Sequence, residues 1–255
     1  MKVYQITFSP TGGTDKVAKI ITNAWGLPAH KIDLSNAQTD YSSLHFCKDD
    51  IAIIAVPSYG GRVPSLAAQR IADIHGSQTP CVIVCVYGNR AYEDTLTELN
   101  DIAEKSGFQV AAAVAAIAEH SIIHQYASGR PDAKDQGELA CFATKILEKI
   151  NGTSIEISAP QIPGNRPYRK AGGAGLVPKA GSNCTGCGLC AEQCPAQAIS
   201  KENPNVTDNK KCISCMRCVA QCPQSARKVN RAMVSAAALA LKKACSTRKE
   251  NELFL

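Results

Sequence analysis

Twice between residues 184 and 223 the chain repeats C-x-x-C-x-x-C-x-x-x-C-P, first as Cys184, Cys187, Cys190, Cys194 and Pro195, then 28 residues later as Cys212, Cys215, Cys218, Cys222 and Pro223. Three thiolates at i, i+3 and i+6 in a turning loop can wrap one cube of iron and sulfide. Small residues such as Gly186 and Gly188 let backbone amides come close to the sulfides. A zinc ribbon also uses C-x-x-C pairs, but it needs neither a third thiolate three residues on nor the closing C-P. The duplication therefore predicts two 4Fe-4S clusters.

Cys190 and Cys194 stand i, i+4 and share one face of a helical turn, yet a cube held by the first triplet leaves Cys194 free. By the ligation rule for two-cluster bacterial sites, the fourth cysteine of each run crosses to the other cluster. The expected sets are Cys184, Cys187, Cys190 and Cys222 for one cluster, and Cys212, Cys215, Cys218 and Cys194 for the other. Residues 179–228 resemble a bacterial-type two-cluster ferredoxin, which implies a small α+β module.

At 255 residues the chain exceeds what such a module needs, leaving room for about one more domain of ordinary size. Thirteen cysteines behind an opening MKVYQITFS, without a basic and then apolar leader, predict a reducing cytoplasm rather than a disulfide scaffold. No stretch is long enough for membrane insertion. Cys47, Cys81, Cys85, Cys141 and Cys245 are outside the repeats, most of them within apolar stretches, and are expected to be buried, inert thiols.

Charge is uneven. Residues 1–150 carry 13 Lys+Arg against 16 Asp+Glu, a balance of −3, whereas residues 151–255 carry 15 against 6, a balance of +9. Clusters with their thiolates offset about −2 each, so the C-terminal half is moderately positive and suited to steering an acidic redox partner protein. Scattered cations and few aromatics argue against nucleic acid.

Val3 to Phe8 reads as a strand, followed by Ser9, Pro10, Thr11, Gly12, Gly13, Thr14 and the helical DKVAKIITNAW, whose Trp25 is expected in the core. Hydroxyls of Ser9, Thr11 and Thr14, with the amides opening the helix, can surround a phosphate without a lysine. Further strands are expected at Lys31 to Leu34, Ile51 to Val56, Cys81 to Val86 and Gln109 to Ile117, with helices near 64–74, 92–106 and 132–150. That alternation specifies a doubly wound parallel sheet with a ligand crevice beyond the carboxyl ends of its strands.

Two loops at that edge suit a flat ring: Pro57, Ser58, Tyr59, Gly60, Gly61 after the third strand, and Tyr87, Gly88, Asn89, Arg90, Ala91, Tyr92 after the fourth. Glycines permit close approach to the ring edge, and Tyr59, Tyr87 or Tyr92 can cover its face. With S-P-T-G-G-T, P-S-Y-G-G and Y-G-N-R in this order, residues 1–150 resemble a flavodoxin. The resemblance implies FMN and a five-stranded parallel sheet of order 2-1-3-4-5. Arg62 and Arg90 depart from the acidic flavin surroundings of that family, and a cation there would raise the flavin potential. His120, after the fifth strand, is a candidate flavin partner or proton donor.

Residues 151–178 form a Pro/Gly-rich connector that is either mobile or packed, and residues 229–255 a C-terminal amphipathic helix and tail expected to pack on one of the domains. Over nearly its whole length the chain resembles the fused flavodoxin-ferredoxin proteins of anaerobes. The resemblance implies an electron carrier linking two 4Fe-4S clusters and FMN to redox partner proteins. The alternative is an FMN-dependent enzyme reducing a quinone or nitro compound, with His120 or Tyr59 near the substrate. A redox sensor is a third reading, and no nicotinamide fingerprint is present.

Overall fold

A computed structural model describes residues 1–152, 158–172 and 175–255. The connector stretches 153–157 and 173–174 lie outside the described residues.

The apolar runs become a parallel sheet: β1 (Val3–Thr7), β2 (Ala29–Asp33), β3 (Ile51–Pro57), β4 (Thr79–Tyr87) and β5 (Phe108–Ile117). Strands β3, β4 and β5 are almost wholly buried. Continuous Ile, Val, Ala and Cys, rather than alternation, is what a strand covered by helices on both faces requires. Helices α1 (Gly13–Ala24), α2 (Ser65–Ala72), α3 (Thr95–Lys105) and α4 (Ala133–Gly152) supply that cover. Val17 and Ile21 of α1 pack with Leu139, Ala143 and Ile146 of α4 on one face, while Ile71 of α2 packs with Leu96 and Leu99 of α3 on the other. Each Ile or Leu fully buried there contributes roughly 1.5–3 kcal/mol. Trp25 is in the core, its indole N–H donating to the Ala143 carbonyl at 2.9 Å.

The parallel strands run in the order 2-1-3-4-5, and a sixth joins them. β6 (Lys179–Ala180) and β7 (Arg227–Lys228) form a separate antiparallel pair that ties the entry of the cysteine repeats, with their short helices α5 (Leu189–Glu192) and α6 (Arg217–Ala220), to their exit. Helix α7 (Arg231–Cys245) then turns back onto the sheet domain, and β8 (Glu252–Phe254) pairs antiparallel with β5, Ala113 opposite Phe254. The five-stranded expectation is thus extended by one strand from the far end of the chain. Asn251 locks it in place, accepting from Ile117 N–H at 3.0 Å and donating to Glu138 at 2.7 Å.

Helix α7 packs Ala238 and Cys245 against Ile123 and Tyr126 of the loop after β5. The described connector lies along α3. Asp94 accepts from the Asn165 and Arg169 amides at 2.9 and 2.7 Å, and Asp101 accepts from Arg166 and Tyr168. Two thiol expectations need correction: Cys81, Cys85 and Cys245 are buried, but Cys47 and Cys141 are exposed. Cys141 sits on α4 between the inward-facing Leu139 and Ala143, so helical periodicity turns it outward.

Candidate functional site

The loops after β1, β3, β4 and β5 meet at the carboxyl edge of the sheet, around the point where the strand order reverses. There they line a cleft of about 1320 Å³. Thr11, Gly13 and Thr14 come from the first loop, Pro57, Ser58, Tyr59 and Gly60 from the second, Tyr87 and Gly88 from the third, and His120 from the fourth.

At the first loop, Gly12 adopts φ 93°, a left-handed turn that suits glycine, and α1 begins at once. Ser9 Oγ accepts from the Asp15 amide at 2.8 Å, so this hydroxyl also caps the helix while its own hydrogen stays available to an anion. The first amides of α1 have no acceptor within the helix and carry its positive dipole end. Together with Thr11 and Thr14 they fit a phosphate.

The His120 imidazole lies against Gly88, where an added Cβ would come within 2.7 Å of the His120 Cβ and Cδ2. Its Nδ1 accepts from the Ile122 and Ile123 amides at 3.2 and 3.1 Å. The hydrogen therefore belongs on Nε2. Burial lowers the imidazole pKa, with the charges of His124 and Arg90 adding to it, and keeps the ring a neutral donor at pH 7. Burial likewise holds the Tyr59 phenol protonated well above its usual range, with the nearby Cys215 thiol raising it further.

Other residues expected at the ring are engaged elsewhere. Asn89 donates to the carbonyls of Cys245 and Thr247, both at 2.9 Å, and Tyr92 donates to Glu252, so both fasten the C-terminal tail. Arg90 pairs with Glu93, and Arg62 pairs with Glu98 through two bonds of 2.7 Å. The cations expected near the flavin are therefore paired, Arg62 with Glu98 and Arg90 with a Glu93 that also meets Arg169. Gly61 packs against Glu93 and, like Ser9, Gly12, Asn89, Arg90 and Tyr92, is not among the cleft-lining residues.

The opposite wall belongs to the cysteine repeats and to the connector that crosses Gly60 at Gly172. Cys212, Ile213 and Ser214 face the same space as Tyr59 and His120. Behind them the eight repeat cysteines divide between two small cavities. Cys184, Cys187, Cys190 and Cys222 line one, and Cys194, Cys212, Cys215 and Cys218 line the other. Among the described residues no three His, Cys, Asp or Glu side chains converge closely enough for a single ion. Four thiols ringing a cavity suit a larger group with its own sulfides.

Backbone geometry is duplicated as well. Gly186, Gly188 and Gln197 have positive φ, and so do Ser214, Met216 and Ser225, each 28 residues on. The Ala198 amide donates to Cys194 Sγ at 3.3 Å, and the Ala226 amide to Cys222 Sγ at 3.2 Å. Burial is the main influence on Cys215 and Cys218, pushing their thiols up to about 11 and about 12, so thiolates there need a cationic centre to stabilise them.

Residues 183–227 match the 4Fe-4S dicluster domain family. The chain thus joins a sheet domain of flavodoxin topology to a 4Fe-4S dicluster domain. Solved structures similar to it include a flavodoxin from Streptococcus pneumoniae TIGR4 (19% identity, TM-score 0.42, covering 58% of this chain and 99% of that one). A flavodoxin from the domain Archaea (14%, 0.43, 59% and 99%) and flavodoxin 1 from Bacillus cereus (15%, 0.42, 58% and 98%) are also similar. The strand order itself carries the fold assignment. No curated protein matches the chain.

Proposed function

We propose that this protein transfers electrons between two 4Fe-4S clusters and an FMN, and on to redox partner proteins in a reducing cytoplasm. One observation carries the reading: a single cleft is lined both by the phosphate and ring loops and by Cys212, Ile213 and Ser214 of the second repeat. When bound, iron-sulfur clusters supply one-electron chemistry and a flavin one- or two-electron chemistry.

The chain's residues would divide the work of holding these groups. Each set of four cysteines holds one cluster. Thr11, Gly13 and Thr14 receive a phosphate, Gly88 admits a ring edge, and His120 offers Nε2–H. Tyr59 of the ring loop lies close enough to Cys215 to feel its charge, which favours the cluster of Cys194, Cys212, Cys215 and Cys218 as the flavin's neighbour. No helix among the described residues is long and apolar enough to cross a membrane.

A second reading, an enzyme reducing a small acceptor such as a quinone or nitro compound, is favoured by the cleft's size. At about 1320 Å³ it exceeds the roughly 300–1,000 Å³ of most small-molecule sites, leaving room beside a flavin. The deciding experiment is anaerobic reconstitution, flavin and iron analysis, and turnover assays with wild type and His120→Asn. Retention of FMN with about eight irons supports the redox assignment. Saturable, His120-dependent turnover selects the enzyme, and exchange with protein partners alone selects the carrier. Protein that loads iron but never retains flavin sinks both.

A further inference from the structure

The dicluster domain buries a guanidinium without a counter-charge. Arg227, five residues beyond Cys222, is 2% exposed. One terminal nitrogen donates to the Thr207 hydroxyl at 2.7 Å and the Pro178 carbonyl at 3.3 Å, the other to the Pro204 carbonyl. Its Nε is buried and has no partner. Its acceptors are neutral, and none of the ion pairs among the described residues includes it. A buried guanidinium lacking an anion is strongly unfavourable in a protein interior. The site it lines is the cavity ringed by Cys184, Cys187, Cys190 and Cys222.

The duplication supplies an internal comparison. Twenty-eight residues before Arg227 stands Ile199, which lines the cavity of the other cysteine set. That second cavity has Arg217 at its wall, whose Nε is likewise buried without a partner but whose terminal nitrogen is shared with Asp33 at 3.5 Å and Gln193 at 3.0 Å. Arg227 lines the first cavity while its charge also reaches Cys212 and Cys218 of the second set, whereas the cation at the second cavity's own wall is partly compensated by Asp33.

We infer that Arg227 is the counter-ion of the cluster held by Cys184, Cys187, Cys190 and Cys222, donates Nε–H to it, and makes that site easier to reduce than its twin. The inference rests on the proposed cluster reading. One-electron reduction adds one negative charge to a cluster, and a fixed cation in a low-dielectric interior stabilises the reduced form more than the oxidised one.

The test uses the full chain, reconstituted anaerobically, with Arg227→Met, Arg227→Lys and Thr207→Val. Iron and sulfide counts on wild type examine the cluster reading separately, and material without either sinks both ideas. EPR-monitored redox titration then reads the two sites. In Arg227→Met one site should become at least tenfold harder to reduce at fixed poise, about 59 mV for one electron, while the other moves by clearly less. Arg227→Lys should retain most of the bias, and Thr207→Val, which keeps the charge, should match wild type. A loaded Arg227→Met with both sites unmoved or shifted equally overturns the inference, as does a Thr207→Val shift of equal size. If Arg227→Met takes up no iron, pulsed EPR of reduced Arg217→Lys protein carrying ¹⁵N-arginine decides. Coupling to an arginine nitrogen supports the role, and its absence overturns it.

Discussion

The guanidinium of Arg70, on α2 of the sheet domain, donates to the carbonyl of Pro195 at 2.8 Å, one residue beyond Cys194. The same side chain donates to the Leu34 carbonyl at 2.6 Å and lies over the Tyr41 ring. One buried cation therefore fastens the second cysteine set to the sheet. Arg70→Ala strands two carbonyls and should cost about 2–4 kcal/mol, lowering Tm by roughly 5–15 °C. Thermal unfolding measures it, and a Tm unchanged within error would mean the contact contributes nothing.

Crossing of the fourth cysteines is testable one thiol at a time. Cys222→Ser should alter the cluster of the first triplet, and Cys194→Ser that of the second, each with loss of about one to four irons per chain. Iron analysis with EPR of each variant distinguishes this from within-repeat ligation, for which the affected spectra would exchange.

Among the described residues, Gly88 is the one cleft glycine pressed against a side chain that the proposed function needs. Gly88→Ala should displace the His120 ring, cost about 1–3 kcal/mol by overpacking, and lower flavin retention while iron content stays constant. Flavin fluorescence after gel filtration, read beside iron analysis, checks this.

Acid should weaken the fold through His120. Burial lowers its pKa below that of the unfolded chain, so below about pH 6.5 the unfolded state binds the proton that the folded state resists. This contribution is fully present above pH 6.5 and is lost as pH falls toward the folded pKa, by at most about 1.4 kcal/mol per pH unit. Urea midpoints for wild type and His120→Asn between pH 7.5 and 5.5 should converge on acidification.

Asp135 is fully buried and receives Arg130, Arg248 and Asn251 together. Asp135→Ala leaves the buried Arg130 uncompensated and should cost about 3–5 kcal/mol. Denaturant unfolding would show it as a lower midpoint at constant slope.

The cysteine spacing and the apolar runs made the dicluster domain and the central strands legible, because each depends on chemistry within a few residues. What stayed hidden depends on distant partners. Asn89 and Tyr92 read as ring-binding residues because they follow Gly88, yet their bonds go to residues some 160 positions later. The pairing of Arg62 with Glu98, a turn into α3, cannot be read from sequence. Ser214 and Met216 give no local sign of a left-handed backbone, and only their register with Gly186 and Gly188 points to it. Arg227 looked like one more member of a basic half until burial set it apart.

β8 is three residues long, too short to announce itself by periodicity, and it covers an edge of β5 that is otherwise unpaired. During synthesis both cysteine repeats must leave the ribosome before this final strip can dock. A version severed after α4 would expose β5 to other chains and invite clumping, so the sheet and the metal-binding half are bound to mature as one unit.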